Sequence, residues 1–269
     1  MKYGVRQLGS KYTLKYQVDC MNSHDSHDSH DSHDSHDSHD SHDSHDSHDS
    51  HDSAKLVSFW HDIPLRIRKH GLSLRNTFNF VCEIPRHTRA KMEVSIDVEN
   101  TPIKQDLKKD GSLRFYAQPI LWNYGMLPQT WEDPAHTWDG FDGLPGDGDP
   151  LDVIEISRKK CIIGGVYEVK IIGAFALIDE GEVDWKLIAV RCDSCDESIE
   201  SIEEIEDIDR VFPGELKKIH DWFRDYKVAD GKKPNIYGFM GKPQNKACAL
   251  NVIDLAHDLY NARNHADTA

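Results

Sequence analysis

Hydrophobic and polar residues alternate along the first two thirds of this chain and then change period. "YTLKYQV" puts Tyr12, Leu14, Tyr16 and Val18 on one side and Thr13, Lys15 and Gln17 on the other, which predicts a half-buried strand. "AKLVSFWHDIPL" reads the same way, with Leu56, Ser58 and Trp60 facing opposite to Val57 and Phe59. Further short, β-branched strands are predicted at "FNFVCEI", "KMEVSI", "SLRFY", "LDVIEI", "VYEVKIIGAFALI" and "WKLIAV". The last third reads as helix. "ESIESIEEIEDI" spaces Ile202, Ile205 and Ile208 three apart among acids. "GELKKIHDWFRDYK" aligns Leu216, Ile219, Trp222, Phe223 and Tyr226 on one stripe behind Pro213, and "KACALNVIDLAHDLYNA" is a third amphipathic helix. Strands first and helices last predict an α+β chain, a β-barrel or sandwich with helices packed outside it.

One segment has no periodicity of this kind. Ten copies of Ser-His-Asp run from Ser23 to Asp52. A hydrolase triad needs three side chains brought together from separate parts of a fold, so consecutive residues of a hydrophilic repeat do not make one. With no apolar member, the low-complexity stretch 23–53 is expected to be disordered. Neither flanking strand can bury a core alone, so the tract is expected to join two strands of one sheet inside a single domain, 1–269. Closing such a loop costs about 1–2 kcal/mol, since the cost grows only with the logarithm of length. Its imidazoles could also collect Zn²⁺, Cu²⁺ or Ni²⁺, which keeps open a non-catalytic metal-binding or interaction protein working through the His/Asp repeat.

The repeat also distorts the charge. The formal net charge is −15, and removing the ten repeat aspartates leaves −5 for the rest. A chain without a basic field is a poor phosphate-backbone binder, so no nucleic-acid partner is expected. An anionic substrate would need a cation to mediate. No apolar run approaches 18 residues and no apolar leader is visible, so no membrane partner is expected. Six scattered cysteines suggest free thiols in the cytoplasm, and the "CDSC" pair, Cys192 and Cys195, has zinc-knuckle spacing but no second pair.

The chemistry concentrates in "GDGDPLDVIEI". Asp147, Asp149 and Asp152 fall within six residues, held in a turn by Gly146, Gly148 and Pro150. Carboxylates this close repel unless a cation joins them, although a solvated acidic turn has the same composition. A calcium hand fits poorly, because counting from Asp147 places Leu151 and Asp152 where that loop needs an oxygen ligand and a glycine. "LIDEGEVDWK" repeats the make-up with Asp179, Asp184 and Lys186, and two such strand-end turns could converge. All-oxygen ligation suits Mg²⁺ or Mn²⁺. "CEIPRHTRAKMEV" adds Lys91 and Glu93 on one strand face, with Arg114 on the next strand and Tyr226-Lys227 ending a helix. A solvated face would look similar. The combination nevertheless suits a multi-metal phosphoryl site, where carboxylates hold metals and Lys and Arg take the remaining phosphate oxygens.

In these residues the chain resembles the family I soluble inorganic pyrophosphatases, eukaryotic type. The motifs are "FWHDIPL" from Phe59, "EIPR" from Glu83, "AKMEV" from Ala90, "KQDLKKDGSLRF", "WNYGMLPQTWEDP", "GDGDPLDV", "DEGEVDWKLIAV" and "DWFRDYKVADGKKP", in order. The resemblance implies an oligonucleotide-binding-like closed β-barrel with flanking helices. It implies a homodimer that hydrolyses magnesium pyrophosphate to two orthophosphates with about three to four Mg²⁺, Mn²⁺ or Zn²⁺ being possible substitutes. It further implies that Asp147, Asp152 and Asp184 hold the first metal, with Asp152 also reaching the second. Asp179 and Asp184 serve substrate-borne metals, with Glu93 and, mostly through water, Glu83. Asp149 is the base, hydrogen-bonded by Tyr124, and Lys91, Arg114, Lys186, Tyr226 and Lys227 grip phosphate. The chain departs from the pattern twice. Ile120 stands where the family has a tyrosine four residues before Tyr124, which implies weaker substrate affinity rather than inactivity. His87 stands where eukaryotic members have a tryptophan near the dimer contact. A Mg²⁺-dependent phosphohydrolase acting on nucleotides is a further alternative, since Ile120 could loosen the pocket.

Overall fold

The computed structural model describes residues 3–22, 55–69 and 72–266. The Ser-His-Asp tract, and the expectation of disorder placed on it, lies outside them. The fold is mixed and dominated by sheet, with a few helices. Strands β1 (Tyr3–Leu8), β2 (Gln17–Asn22), β3 (Lys55–Val57), β4 (Arg66–Lys69), β5 (Leu72–Ile84) and β6 (Met92–Val94) open the chain. They are followed by β7 (Ile103–Gln105), β8 (Asn123–Met126), β9 (Asp152–Glu155), β10 (Val166–Asp179) and β11 (Glu182–Arg191). The helices α1 (Glu197–Glu200), α2 (Ile205–Val211), α3 (Glu215–Asp225) and α4 (Lys246–Ala266) come last, with two-residue strands β12 (Ile236–Tyr237) and β13 (Gln244–Asn245) between α3 and α4.

A smaller sheet has the order β1-β2-β7-β6, with β3 also on β2. A larger one runs β12-β10-β11-β9-β8-β5-β4, and β10 pairs with β5 as well. Among the described residues every ladder is antiparallel except β9 with β11. The strands flanking the repeat pair with each other, Asn22 opposite Lys55 and Cys20 opposite Val57. The alternation read from "KMEV" holds: Met92 and Val94 are buried, while Lys91 and Glu93 turn to the other side. α3 is anchored by its apolar stripe and by Trp122, whose indole Nε1 donates to Glu215 at 2.7 Å.

Local pattern was overridden in four places. The strand expected from Tyr12 begins only at Gln17, because Leu8 pairs with Gln17 and residues 9–16 form the hairpin loop. Tyr12 takes a positive φ of 61° there, and Tyr12 and Leu14 are 61% and 69% exposed. "SLRFY" makes only single bridges, Leu107 with Leu113 and Ala90 with Phe115. "AKLVSFWHDIPL" is strand only to Val57, since the Asp62 carboxylate accepts from the Ser58 amide and folds the chain into a turn. "ESIESIEEIEDI" breaks into α1 and α2; a reciprocal capping box between Glu204 and Asp207 starts the second helix.

Gly125 shows how closely β8 approaches β5. A Cβ at that position would collide with the Val81 carbonyl oxygen, which is backbone and cannot turn aside, whereas a Cβ on Gly4 meets nothing nearer than 4.0 Å. Gly125→Ala is therefore expected to cost about 3 kcal/mol by forced overpacking, read as a lowered urea midpoint. Gly4→Ala should leave the midpoint unchanged.

Candidate functional site

The parallel pairing of β9 with β11 sets Asp152 opposite Lys186, so the two acid-rich turns preceding these strands open at the same end of the sheet. The "GDGDP" turn is held against the β10–β11 hairpin by a bridge between Gly146 and Val183 and by the Val183 amide donating to Pro145 at 2.8 Å. From the other side the "TWEDP" segment closes over it. The Glu132 amide donates to the Asp149 carbonyl at 2.9 Å, the Gly148 amide to the Glu132 carbonyl at 2.8 Å, and Trp131 Nε1 to the Gly148 carbonyl at 2.9 Å. Gly148 needs its φ of +90°, which L side chains rarely adopt.

These elements enclose a cavity of about 200 Å³. Nine carboxylates line it: Glu83, Glu93, Asp147, Asp149, Asp152, Asp179, Glu180, Glu182 and Asp184. Only four cations face them, Lys91, Arg114, Lys186 and Lys227, so the walls carry excess negative charge. Lys186 is 3% exposed and donates to Asp152, to Asp184 and, at 3.0 Å, to the Tyr124 hydroxyl. Burial alone would lower its pKa, but Asp152 and Asp184 outweigh that and hold it well above the ordinary lysine value. Lys91 Nζ donates to Glu93 at 2.6 Å and to Asp106 at 3.1 Å, and Arg114 also reaches Asp106, at 2.6 Å. On the far wall Asp179 accepts from the Tyr226 hydroxyl at 2.7 Å and from Lys227 at 2.5 Å. Glu180 is drawn down to about 2 by its bonds to Lys232 and Lys227.

Where burial and neighbouring acids outweigh any nearby cation, the carboxyls behave oppositely. Burial, then Asp152, pushes Glu83 well above the usual carboxylate range. Burial does the same to Asp184 and Glu132, with Asp147 adding to both and Lys186 opposing. Asp147 is pushed up to about 7 by burial and by Asp149. Asp149, which opens to the water of the cavity but is walled by acids, is pushed up to about 7 by desolvation, Glu93 and Asp152. Glu132, Asp147 and Asp184 each offer an oxygen within 4.8 Å of the others. Glu132 Oε1 accepts from the Trp185 amide at 3.0 Å, but its buried Oε2 has no hydrogen-bond partner.

An inorganic pyrophosphatase family model matches residues 80–261. The chain belongs to the inorganic pyrophosphatase family. A soluble inorganic pyrophosphatase 1, chloroplastic, of Chlamydomonas reinhardtii is 51% identical over 207 residues, 77% of this chain and 70% of that one. The inorganic pyrophosphatase of Mus musculus is 42% identical over 211 residues, 77% of this chain and 70% of its own. Among solved structures, the type I inorganic pyrophosphatase from Toxoplasma gondii superposes with a TM-score of 0.80 at 35% identity, covering 97% of this chain and 99% of that one. A truncated Trypanosoma cruzi vacuolar soluble pyrophosphatase in complex with PPi gives 0.81 at 34%, covering 98% and 91%.

Within this pyrophosphatase-family cavity stand all thirteen residues singled out from the sequence: Glu83, Lys91, Glu93, Arg114, Tyr124, Asp147, Asp149, Asp152, Asp179, Asp184, Lys186, Tyr226 and Lys227. One expected contact is different. Tyr124 donates to Asp152 and not to Asp149, because β8 pairs with β9 and puts Tyr124 diagonal to Asp152 on the same face, whereas Asp149 precedes the strand. Glu83 Oε1 accepts from the Val94 amide at 2.6 Å. Sequence reasoning gave no role to Asp106, Tyr116 and Glu132, although Asp106 and Glu132 stand in the motifs "KQDLKKDGSLRF" and "WNYGMLPQTWEDP" and Tyr116 shares a period-two face with Arg114.

The raised pKa values of Asp147 and Asp149 fix the sign of a pH effect. An unfolded aspartate has released its proton by about pH 4, whereas these hold theirs to about 7 in the fold. Their contribution to stability is therefore full below about pH 4 and lost as pH rises through about 7. In chelator, Tm is expected to fall between pH 5 and pH 8. Asp147→Asn should flatten that fall, and Mg²⁺ should reverse it at pH 8; thermal melts across the pH range read all three.

Proposed function

We infer that this protein hydrolyses inorganic pyrophosphate to two orthophosphates. The observation that carries the reading is the cavity itself, an excess of carboxylates interleaved with Lys91, Arg114, Lys186 and Lys227, in a chain of this family. A divalent cation fits the donor set: the partnerless Glu132 Oε2 lies with Asp147 and Asp184 in an all-oxygen group, the ligand type hard cations prefer. We assign Asp147, Asp152 and Asp184 to a first Mg²⁺, with Asp152 also serving a second. Asp179, Asp184, Glu93 and Glu83 take ions that arrive with the substrate, about three to four in all, for which Mn²⁺ or Zn²⁺ would substitute. Bound there, such ions acidify water and neutralise phosphate charge.

The chain's own residues supply the rest. Asp149, poised near neutrality, takes the proton from the attacking water. The water oxygen bonds to one phosphorus as the bridging P–O bond breaks, with no covalent intermediate on the protein. Lys91 and Arg114, tied together by Asp106, grip one phosphate, while Lys186, Tyr226 and Lys227 hold the other. Tyr124 positions Asp152.

The same reading extends to organisation. The pairings β5–β10–β11–β9–β8–β5 support an oligonucleotide-binding-like closed barrel. The contact of Asn22 with Lys55 supports residues 23–53 as an insertion in a hairpin of a single domain, 1–269. We propose a homodimer, although His87 is exposed among Arg86, Lys160 and Arg158, a cationic surround that weakens a symmetric contact there. The absence of a disulfide among the six cysteines, all of them described residues, supports a reducing compartment, the cytoplasm or, as in the chloroplastic relatives, a plastid. Among the described residues no helix is long and apolar enough to cross a membrane.

A phosphate-release assay tests the reading. With pyrophosphate and Mg²⁺ the full chain should turn over, Asp149→Asn should lose about 10³-fold as a missing general base does, and chelator should abolish release. Deleting 23–53 should leave the rate within about twofold of the full chain. No release from the full chain overturns the assignment, and activity lost with the repeat would move the chemistry to the tract.

A further inference from the structure

Three tyrosines line the cavity, and two of their hydroxyls are already engaged: Tyr124 donates to Asp152, and Tyr226 to Asp179. The third, Tyr116, has no hydrogen-bond partner for its hydroxyl among the described residues and, though only 6% exposed, lines the same cavity. Its ring is held firmly. The Tyr116 amide donates to the Arg89 carbonyl at 2.7 Å, and Arg89 Nε returns a bond to the Tyr116 carbonyl at 2.8 Å. Trp222 and Tyr226 meet the ring edge to face, at centroid distances of 5.1 and 5.8 Å. The bridge between Ala90 and Phe115 turns Phe115 one way and Arg114 and Tyr116 the other, so the free hydroxyl and a phosphate-gripping guanidinium enter the cavity side by side. Lys91, Asp152, Lys186 and Glu93 are its charged neighbours, and burial keeps the phenol protonated, hence a donor.

Ile120 supplies the contrast. It is 0% exposed, packs in the core, takes no place in the cavity wall, and is tied by its backbone to Thr88 and His87. The family tyrosine expected at this position is therefore replaced by an apolar residue.

We propose that Tyr116 is a substrate-positioning residue whose hydroxyl donates to a non-bridging phosphate oxygen beside Lys91 and Arg114, supplying the donor that Ile120 cannot. This rests on the pyrophosphatase reading above, and it replaces the expectation of weakened substrate affinity. A rigid, neutral donor orients a phosphate that lysines bind only as point charges.

Tyr116→Phe removes one oxygen and keeps the ring stack, so the fold is retained. The test compares the full-length wild type and this variant in excess Mg²⁺, measuring KM and kcat for pyrophosphate, the dissociation constant of inorganic phosphate by calorimetry, and Tm. A donor to a charged acceptor is expected to be worth about tenfold. KM and the phosphate dissociation constant should thus both rise about tenfold, with Tm unchanged. Values within twofold of wild type, or a fall in kcat at unchanged KM, overturn the proposal. A fall in Tm of several degrees accompanying the loss would make Tyr116 structural and overturn it as well. If the wild type releases no phosphate, the pyrophosphatase reading fails, and the phosphate-binding arm alone still decides for or against the Tyr116 hydroxyl.

Discussion

Lys186 is the charge on which the cavity depends. A buried ammonium is stable only if anions surround it, and buried carboxylates are stable only if a cation answers them. Asp152 and Asp184 each meet Lys186, and Tyr124 receives its third bond. This cluster lies across three strands, β8, β9 and β11, so it is also a register lock. A one-residue slip of any of them would turn its member to the opposite face of the sheet. The parallel step between β9 and β11, unlike every other ladder among the described residues, brings two acidic turns to one end and makes the cluster possible.

Around that cluster the acids outnumber the cations, and the imbalance is stored strain rather than stabilisation. Glu83, Glu132, Asp147, Asp149 and Asp184 all hold protons more tightly than free carboxylates do. The chain is thus built for a state in which additional positive charge is present. On the function proposed above, this is how a protein with a formal charge of −15 accepts a polyanion, the substrate bringing metal with it.

Much of this was legible locally. Short β-branched runs marked strands β5, β9, β10 and β11, and the spacing of Asp147, Asp149 and Asp152 marked the centre of the site without any tertiary information. What escaped depends on distant partners. Asp106 sits in "KQDLKKDGS", which reads as a solvated turn until Lys91 and Arg114 converge on it. Glu132 looks like a polar residue ahead of a proline and is buried only because its segment folds over the "GDGDP" turn. β8 escaped because four residues containing a glycine carry almost no periodic signal. The early strand was placed too soon because Tyr12 and Leu14 continue an alternation that the turn of residues 9–16 does not use.

The pairing of Asn22 with Lys55 has an evolutionary consequence. The chain leaves the small sheet and re-enters it at one point, so the ladder registers no difference when a Ser-His-Asp unit is gained or lost. Such a unit is encoded by nine nucleotides, so its gain or loss keeps the reading frame. Each event would change the protein's acidity by one charge and its imidazole content by one. Repeat number thus sets the surface charge separately from the charge of the cleft.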